Sequence, residues 1–285
     1  MSATWSDRAL PAAARTATRV EIAADAGLAL LVLALYLPVL AELASVWWSV
    51  PYYSYGVLVP CFSAYLAWQA RGATAPRVFA PRGLVVLAAG LALGTAGTLA
   101  ASLTLCTLSL PVVLYGAVWA TRGPARARRV RFPVAFLACM APLPDGALAA
   151  LSLPLQRLAA VVAEHALRAL GMPAVRDDLF VALPSVTLHV TEACNGLRFL
   201  LAMLVLGVAF AATVTPRPGR RAAIVLAAAA LAVVANLVRV TGTGVMAEVW
   251  GAQAAVGTTH VVWGKVVYGA ALVPFVGLVL LLRRP

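Results

Sequence analysis

Charge is what this chain has least of. Only 11% of its 285 residues are charged and only 10 are acidic, against 63% that are hydrophobic. No water-soluble domain needs so much apolar surface with so little charge to cover it, so the composition specifies a polytopic membrane protein. Cysteine is sparse too. Cys61, Cys106, Cys139 and Cys194 include no C-x-x-C pair and have no His beside them at metal-ligand spacing. A structural zinc site and a thioredoxin-like motif are thereby excluded, and neither a metal nor another cofactor is expected. There is no internal repeat, and no small-residue cleavage site follows the first apolar run. Arg8, Arg15, Arg19 and that run therefore read as an uncleaved first helix. Finally, the net charge of +12 does not gather into a basic face on a soluble unit, which sets nucleic-acid binding aside.

What the chain does have is long apolar runs punctuated by arginine. A helix crossing a bilayer needs about 20 apolar residues. Such runs lie near 23–45, 54–70, 83–102, 104–121, 132–143 with its continuation, 195–214, 222–243 and 263–282. Most of the 22 basic residues fall in five clusters. These are Arg8, Arg15 and Arg19; Arg71, Arg77 and Arg82; Arg122, Arg126, Arg128, Arg129 and Arg131; Arg217, Arg220 and Arg221; and Arg283 and Arg284. With eight spans all five share one side, whereas seven or nine would strand a cluster on the other. The positive-inside rule then predicts one integral-membrane domain over 1–285, with 1–22 a cytoplasmic tail and both termini cytoplasmic.

The largest segment expected outside is 144–193. Within 146–170, Arg157, Glu164 and Arg168 share a polar stripe, predicting an amphipathic helix on the outer leaflet or packed over the bundle. Two β-branched runs, 179–183 and 186–191, flank Pro184-Ser185 and predict a small β-hairpin. The expected fold is thus an all-α polytopic membrane protein of about eight transmembrane helices, with this helix and hairpin between spans five and six.

Arg198, Arg239, His260 and Lys265 fall in or at the edge of the later spans, where a charge costs a few kcal/mol and marks a functional site by default. The topology puts Cys194 at the outer end of span six, with Arg198 one turn deeper on the same face. Arg239 lies near the outer end of span seven and His260 at the outer mouth of span eight. Three helices thus bring Cys, Arg and His to one depth, as a reaction centre requires. A neighbouring cation or His makes a thiolate available, which suits Arg198 to lowering the pKa of Cys194. His260 can take the thiol proton and return it to a leaving amine. Arg239 offers fixed charge and several donors for an oxyanion, Asn236 can orient it from one turn away, and Gly196 permits close backbone approach. Each residue alone has a plainer reading. Cys194 can be a small buried side chain, Arg239 can snorkel to the interface and His260 can cap span eight. Lys265 reads as interfacial.

The segments "ACNGLR" at 193–198, "NLVRVTGT" at 236–243 and "GTTHVVWGKVVYG" at 257–269 resemble the signatures of the exosortase/archaeosortase family. "YYSYGVLVPCFSAYLAWQAR" at 52–71 and "FPVAFLACMAPLP" at 132–144 are similar to further family segments. The resemblance implies a membrane-embedded cysteine transpeptidase with Cys194 as nucleophile, Arg239 as catalytic-site arginine and His260 in proton transfer. It implies as partners exported proteins bearing a C-terminal signal of the PEP-CTERM kind: a Pro-containing motif, a transmembrane helix and a basic tail. Membrane lipid is the remaining partner, and the acyl acceptor is left open among water, a lipid amine and a polysaccharide. The chain departs from the family pattern at Asn195, often Ser, at Val261, often acidic, and at Tyr55, often His.

Two other classes compete with this reading. A transporter or flippase could bind an anionic substrate at Arg198 and Arg239, although midplane helix breaks and repeat symmetry are its expected marks. A disulfide oxidoreductase would pair Cys106 with Cys194. The orientation can be tested directly: reporter fusions within 122–131 and 215–221 are expected to register the cytoplasm, and fusions within 144–193 the outside. The reverse pattern would move the candidate site to the wrong compartment.

Overall fold

The computed structural model describes the backbone of residues 12–70 and 78–283, and side chains from residue 23 onward. Arg8, Arg71, Arg77 and Arg284 lie outside the described residues, as does the first half of the predicted tail 1–22. The chain runs through α1 (Ala12–Ser49), a 3₁₀ turn (Pro51–Val57), α2 (Leu58–Gln69), α3 (Pro81–Leu99), α4 (Leu103–Phe136) and α5 (Asp145–Ala169). Three short strands follow: β1 (Val175–Asp177), β2 (Phe180–Ala182) and β3 (Thr187–His189). After a 3₁₀ turn (Glu192–Cys194) come α6 (Leu197–Val214), α7 (Pro218–Trp250) and α8 (Gly257–Leu282). Seven of the described helical segments are long and apolar enough to cross a membrane. This is an all-α multi-pass membrane protein with a small sheet.

The expected eight runs map onto these helices with three differences. The run at 54–70 divides into a 3₁₀ turn and a 12-residue helix, too short to span by itself. The runs at 104–121 and 132–143 join in α4, interrupted at Gly123 (φ 78°, ψ 173°). That break reverses the chain. The Thr104 hydroxyl donates to the Pro142 carbonyl at 2.9 Å, though 38 residues of straight helix would hold them about 57 Å apart. Proline follows at 124, starting the returning segment where its missing N–H costs nothing. The third difference is α5, whose apolar content qualifies it by length and composition as a span.

Instead of lying free on a surface, α5 packs against α7. Ala159, Ala160, Ala163 and Leu167 bury with Val181, Val190 and Val240. The predicted polar stripe turns to the sheet: Arg157 pairs with Asp178 at 3.1 Å, and Glu164 with Arg168 at 2.9 Å and Arg176 at 3.4 Å. The hairpin forms as predicted around 184–185, with β2 antiparallel to β3. β1 joins as a further antiparallel strand, its edge met by the Glu164 carboxylate at the Arg176 amide. Glu248 of α7 holds the turn by accepting from the Ser185 amide and hydroxyl.

Small residues let α3 and the first half of α4 meet at backbone distance. Gly83, Gly90 and Gly97 recur every seventh residue along α3. A Cβ on Gly90 would sit 2.7 Å from the Val113 amide, and one on Gly97 2.7 Å from that of Cys106. Such contact between lipid-embedded helices depends on van der Waals packing and tolerates little added volume. Gly90→Val is expected to destabilise the bundle by about 1–3 kcal/mol or more, read as a lower melting temperature in detergent. Gly269→Ala, with nothing near its Cβ position, should melt like the wild type or slightly higher. Equal melting of all three proteins would show that this interface is not close-packed.

Candidate functional site

Side-chain bonds identify one end of the bundle as the meeting point of the polar residues. Tyr52, Leu143, Cys194, Asn236, Arg239 and His260 all take part in contacts there, whereas Asp25 pairs with Arg122 and Arg220 reaches Leu282 at the other end. Counting about 20 residues from Pro218, a span along α7 would end near residue 238. Arg239 therefore stands at the expected boundary, and the rest of this 33-residue helix rises beyond it.

Cys194 ends its 3₁₀ turn, and Gly196 (φ 74°, ψ 0°) separates that turn from α6. Only glycine takes this left-handed conformation without strain, and a Cβ there would also collide with the Asn236 side chain. The break alters one sequence expectation. Cys194 and Arg198 do not lie on a continuous helix, so four-residue spacing does not place them on one face. Arg198 is exposed and makes no hydrogen bond or ion pair among the described residues.

Two α7 side chains hold consecutive carbonyls at the cysteine. Asn236 Nδ2 donates to the Cys194 carbonyl at 2.9 Å, and Arg239 Nη1 donates to the Ala193 carbonyl at 3.1 Å. Arg239 Nη2 lies 2.7 Å from His260 Nε2. Since guanidinium only donates, Nε2 is the acceptor and the ring proton sits on Nδ1, 3.5 Å from the Thr243 hydroxyl. The plainer readings of these two residues therefore fail: Arg239 turns inward instead of snorkelling, and the His260 ring does not cap α8. No acidic residue pairs with Arg239 among the described residues, and its buried Nε has no partner. Gly264 leaves room for it, since a Cβ there would lie 3.0 Å from Nε.

Asn236 does not bond Arg239 directly. The link is Tyr268, whose hydroxyl donates to Asn236 Oδ1 at 3.2 Å and accepts from Arg239 Nη1 at 3.4 Å. Its ring stacks on Phe199 of α6, with centroids 4.1 Å apart. Sequence reasoning passed over Tyr268, though its place two turns after His260 and one after Gly264 puts all three on one helix face. Asn195 is buried and its amide is fully used, donating to the Ser152 hydroxyl at 2.6 Å and to Tyr52 at 3.4 Å while accepting from the Leu197 amide at 2.8 Å. Ser152 and Tyr52 were likewise missed, because hydroxyls in apolar or aromatic runs carry no charge signal.

The Cys194 thiol is partly exposed and accepts from the Thr191 hydroxyl, 4.0 Å away. The imidazole meets Arg239, not the thiol, so the expected Cys–His contact is absent from this arrangement. All four cysteines are free, and Cys106 lies against Thr98 and Gly94 of α3 instead of Cys194. Lys265 is exposed on α8.

The arrangement provides a thiol on a pinned loop, a guanidinium without a counter-ion and an imidazole on the far side of that guanidinium. No curated protein and no solved structure matches the chain. The family described as transmembrane exosortase (Exosortase_EpsH) matches residues 47–277. Because that match covers most of the chain and every residue of the network from Tyr52 to Tyr268, the chain belongs to the transmembrane exosortase family.

Proposed function

We infer that this membrane transpeptidase cleaves the C-terminal sorting signals of exported proteins through a Cys194 thioester, at the outer face of the inner membrane with both termini cytoplasmic. The observation that carries the reading is the position of Arg239. One guanidinium reaches both the backbone beside the thiol and the imidazole, with no carboxylate to neutralise it among the described residues. Uncompensated positive charge beside the thiol is suited to a developing oxyanion.

The chemistry follows from that position. Cys194 Sγ attacks the scissile carbonyl carbon while its proton passes to His260 Nε2. The carbonyl oxygen becomes an oxyanion and takes donors from Arg239. When the tetrahedral species collapses, the C–N bond breaks, His260 returns the proton to the leaving amine, and an acyl-thioester remains for an acceptor. In the resting arrangement Arg239 occupies the Nε2 lone pair. The carbonyl oxygen of an entering substrate competes for the guanidinium and frees Nε2, so Cys194 is activated when substrate is present. Asn236 and Tyr268 act as positioning residues, holding the cysteine backbone and the guanidinium in register.

Substitutions distinguish these roles, provided the amount of protein in the membrane is compared for each variant. Cys194→Ala is expected to abolish both cleavage and a covalent adduct with a tagged substrate. Arg239→Lys keeps the charge but loses the planar fork, and a loss of about 10²–10³ in rate or more is expected. His260→Ala should lose about 10²–10⁴ and regain part of it at higher pH, where the thiol ionises unaided. Arg198→Lys should be mild. If Cys194→Ala accumulates normally and still processes substrate, the peptidase reading fails and transport of an anionic substrate becomes the better account.

Tyr268→Phe tests the positioning network separately. It keeps the Phe199 stack and removes only the hydroxyl with its two hydrogen bonds to Asn236 and Arg239, so melting should change little while kcat falls by about tenfold, roughly 1.4 kcal/mol. KM should be nearly unchanged. An unaltered kcat would remove Tyr268 from the mechanism without touching Cys194.

A further inference from the structure

A large apolar cavity lies outside the Cys194 network. It has a volume of about 530 Å³ and opens between α2 and α6, with Leu58 and Phe62 on one wall and Ala202, Leu206 and Phe210 on the other. Its lining is hydrocarbon and aromatic except for the Cys61 thiol, Thr213, whose hydroxyl is spent on the Ala209 carbonyl, and Tyr55, which lies in the 3₁₀ turn at the site end. The Tyr55 hydroxyl makes no hydrogen bond among the described residues. Arg198, exposed and equally unpartnered, precedes Ala202 by four residues and Leu206 by eight. Helical spacing therefore sets it on the same face of α6, above the upper end of the cavity.

These observations share one logic. An apolar slot descends along three turns of α6, a free hydroxyl stands near its top and a free guanidinium stands above that. We propose that the cavity is a binding site for one anionic glycerophospholipid, with an acyl chain in the slot, an ester carbonyl at Tyr55 and the phosphate at Arg198. The volume falls in the range of single small-molecule sites. A transmembrane helix fits less well, being about 10–12 Å across with its side chains. Its backbone groups are also satisfied internally, so it would leave both the hydroxyl and the guanidinium unanswered. A phosphodiester answers the guanidinium with a charge-assisted bond, and basic pockets between membrane helices bind lipid head groups for the same reason. The bound lipid would close the gap between α2 and α6 and bring an anionic head to the mouth of the Cys194 site. The site does not depend on the peptidase chemistry, and binding can be measured without substrate.

The test is lipid retention by the purified full-length protein, released from detergent into the gas phase and weighed with equimolar phosphatidylglycerol and phosphatidylcholine present. The wild type should retain one phosphatidylglycerol at about tenfold preference. Arg198→Gln should lose the preference but keep some lipid, and Ala202→Trp, which fills the slot, should lose retention of both lipids. Tyr55→Phe should weaken retention several-fold while melting like the wild type, which covers the case in which the tryptophan variant fails to fold. Lys265→Gln, altering an exposed cation on a helix that does not line the cavity, should behave as the wild type. Inorganic phosphate in excess should not displace the lipid, and displacement would reduce the site to an anion at Arg198. Equal retention by all variants would mean nonspecific surrounding lipid and overturn the proposal. So would a photo-crosslinker at Ala202 that captures an exported protein instead of lipid.

Discussion

The grip of one helix on two successive carbonyls is the constraint from which the site follows. Asn236 and Arg239 are three residues apart on α7, and that spacing matches the carbonyls of Cys194 and Ala193. A short turn before a membrane helix has no regular partner for its peptide groups, and unpaired ones are costly in an apolar setting. α7 supplies the partners, and in doing so fixes the thiol relative to a helix that also carries the guanidinium. The left-handed Gly196 is the backbone counterpart of that grip. Any side chain there would occupy the space of the Asn236 amide.

The second layer of support comes from α8. Trp263 Nε1 donates to the Arg239 carbonyl at 2.9 Å and the Thr243 hydroxyl donates to the same oxygen. Gly242 lets the indole approach the α7 backbone, just as Gly264 admits the guanidinium from the α8 side. α7 and α8 are thus keyed at two glycines one on each helix, and the key sets the His260–Arg239 contact. Below it the seam continues into ordinary apolar packing, with Phe275 buried against the core of α6 and α7. The extracytoplasmic layer predicted from 144–193 serves the same end, since α5 delivers Ser152 to Asn195 while its apolar face covers the upper part of α7.

Much of this was legible from residue type and topology. Counting spans put Cys194, Arg239 and His260 at one depth, and the structure brings Arg239 to both the cysteine backbone and the imidazole. Charge made Arg239 visible because charge in a bilayer is rare. Tyr268, Tyr52 and Ser152 carry no such signal and had to await the geometry. Helical spacing misled at Arg198, because counting four residues from Cys194 assumes a helix that Gly196 interrupts. The reversal at Gly123 was half legible. The arginine cluster implied a loop between two spans, but the turn is made by Gly123 alone, the one residue that leaves helical angles. The third strand escaped notice since "VRD" at 175–177 is charged and short, and its place is set by Glu164 rather than by β-propensity.

A partly buried guanidinium without a carboxylate is costly, and removing its counter-ion from a designed pair would normally destabilise a fold. Here the charge is spread over neutral acceptors instead: the Ala193 carbonyl, the Tyr268 hydroxyl and the His260 ring, with the Tyr268 face 5.7 Å from the guanidinium carbon. Each is a dipole or a quadrupole, so each stabilises the cation without cancelling it. Under the proposed mechanism, a carboxylate in their place would make a firmer resting structure and a poorer catalyst, because a full negative charge would already hold the donors that a transition state must recruit. Neutral partners can be exchanged for an oxyanion at a gain. The absence of an acidic residue beside Arg239 among the described residues supports the proposed role, in which its strongest interaction is reserved for a charge that the substrate develops.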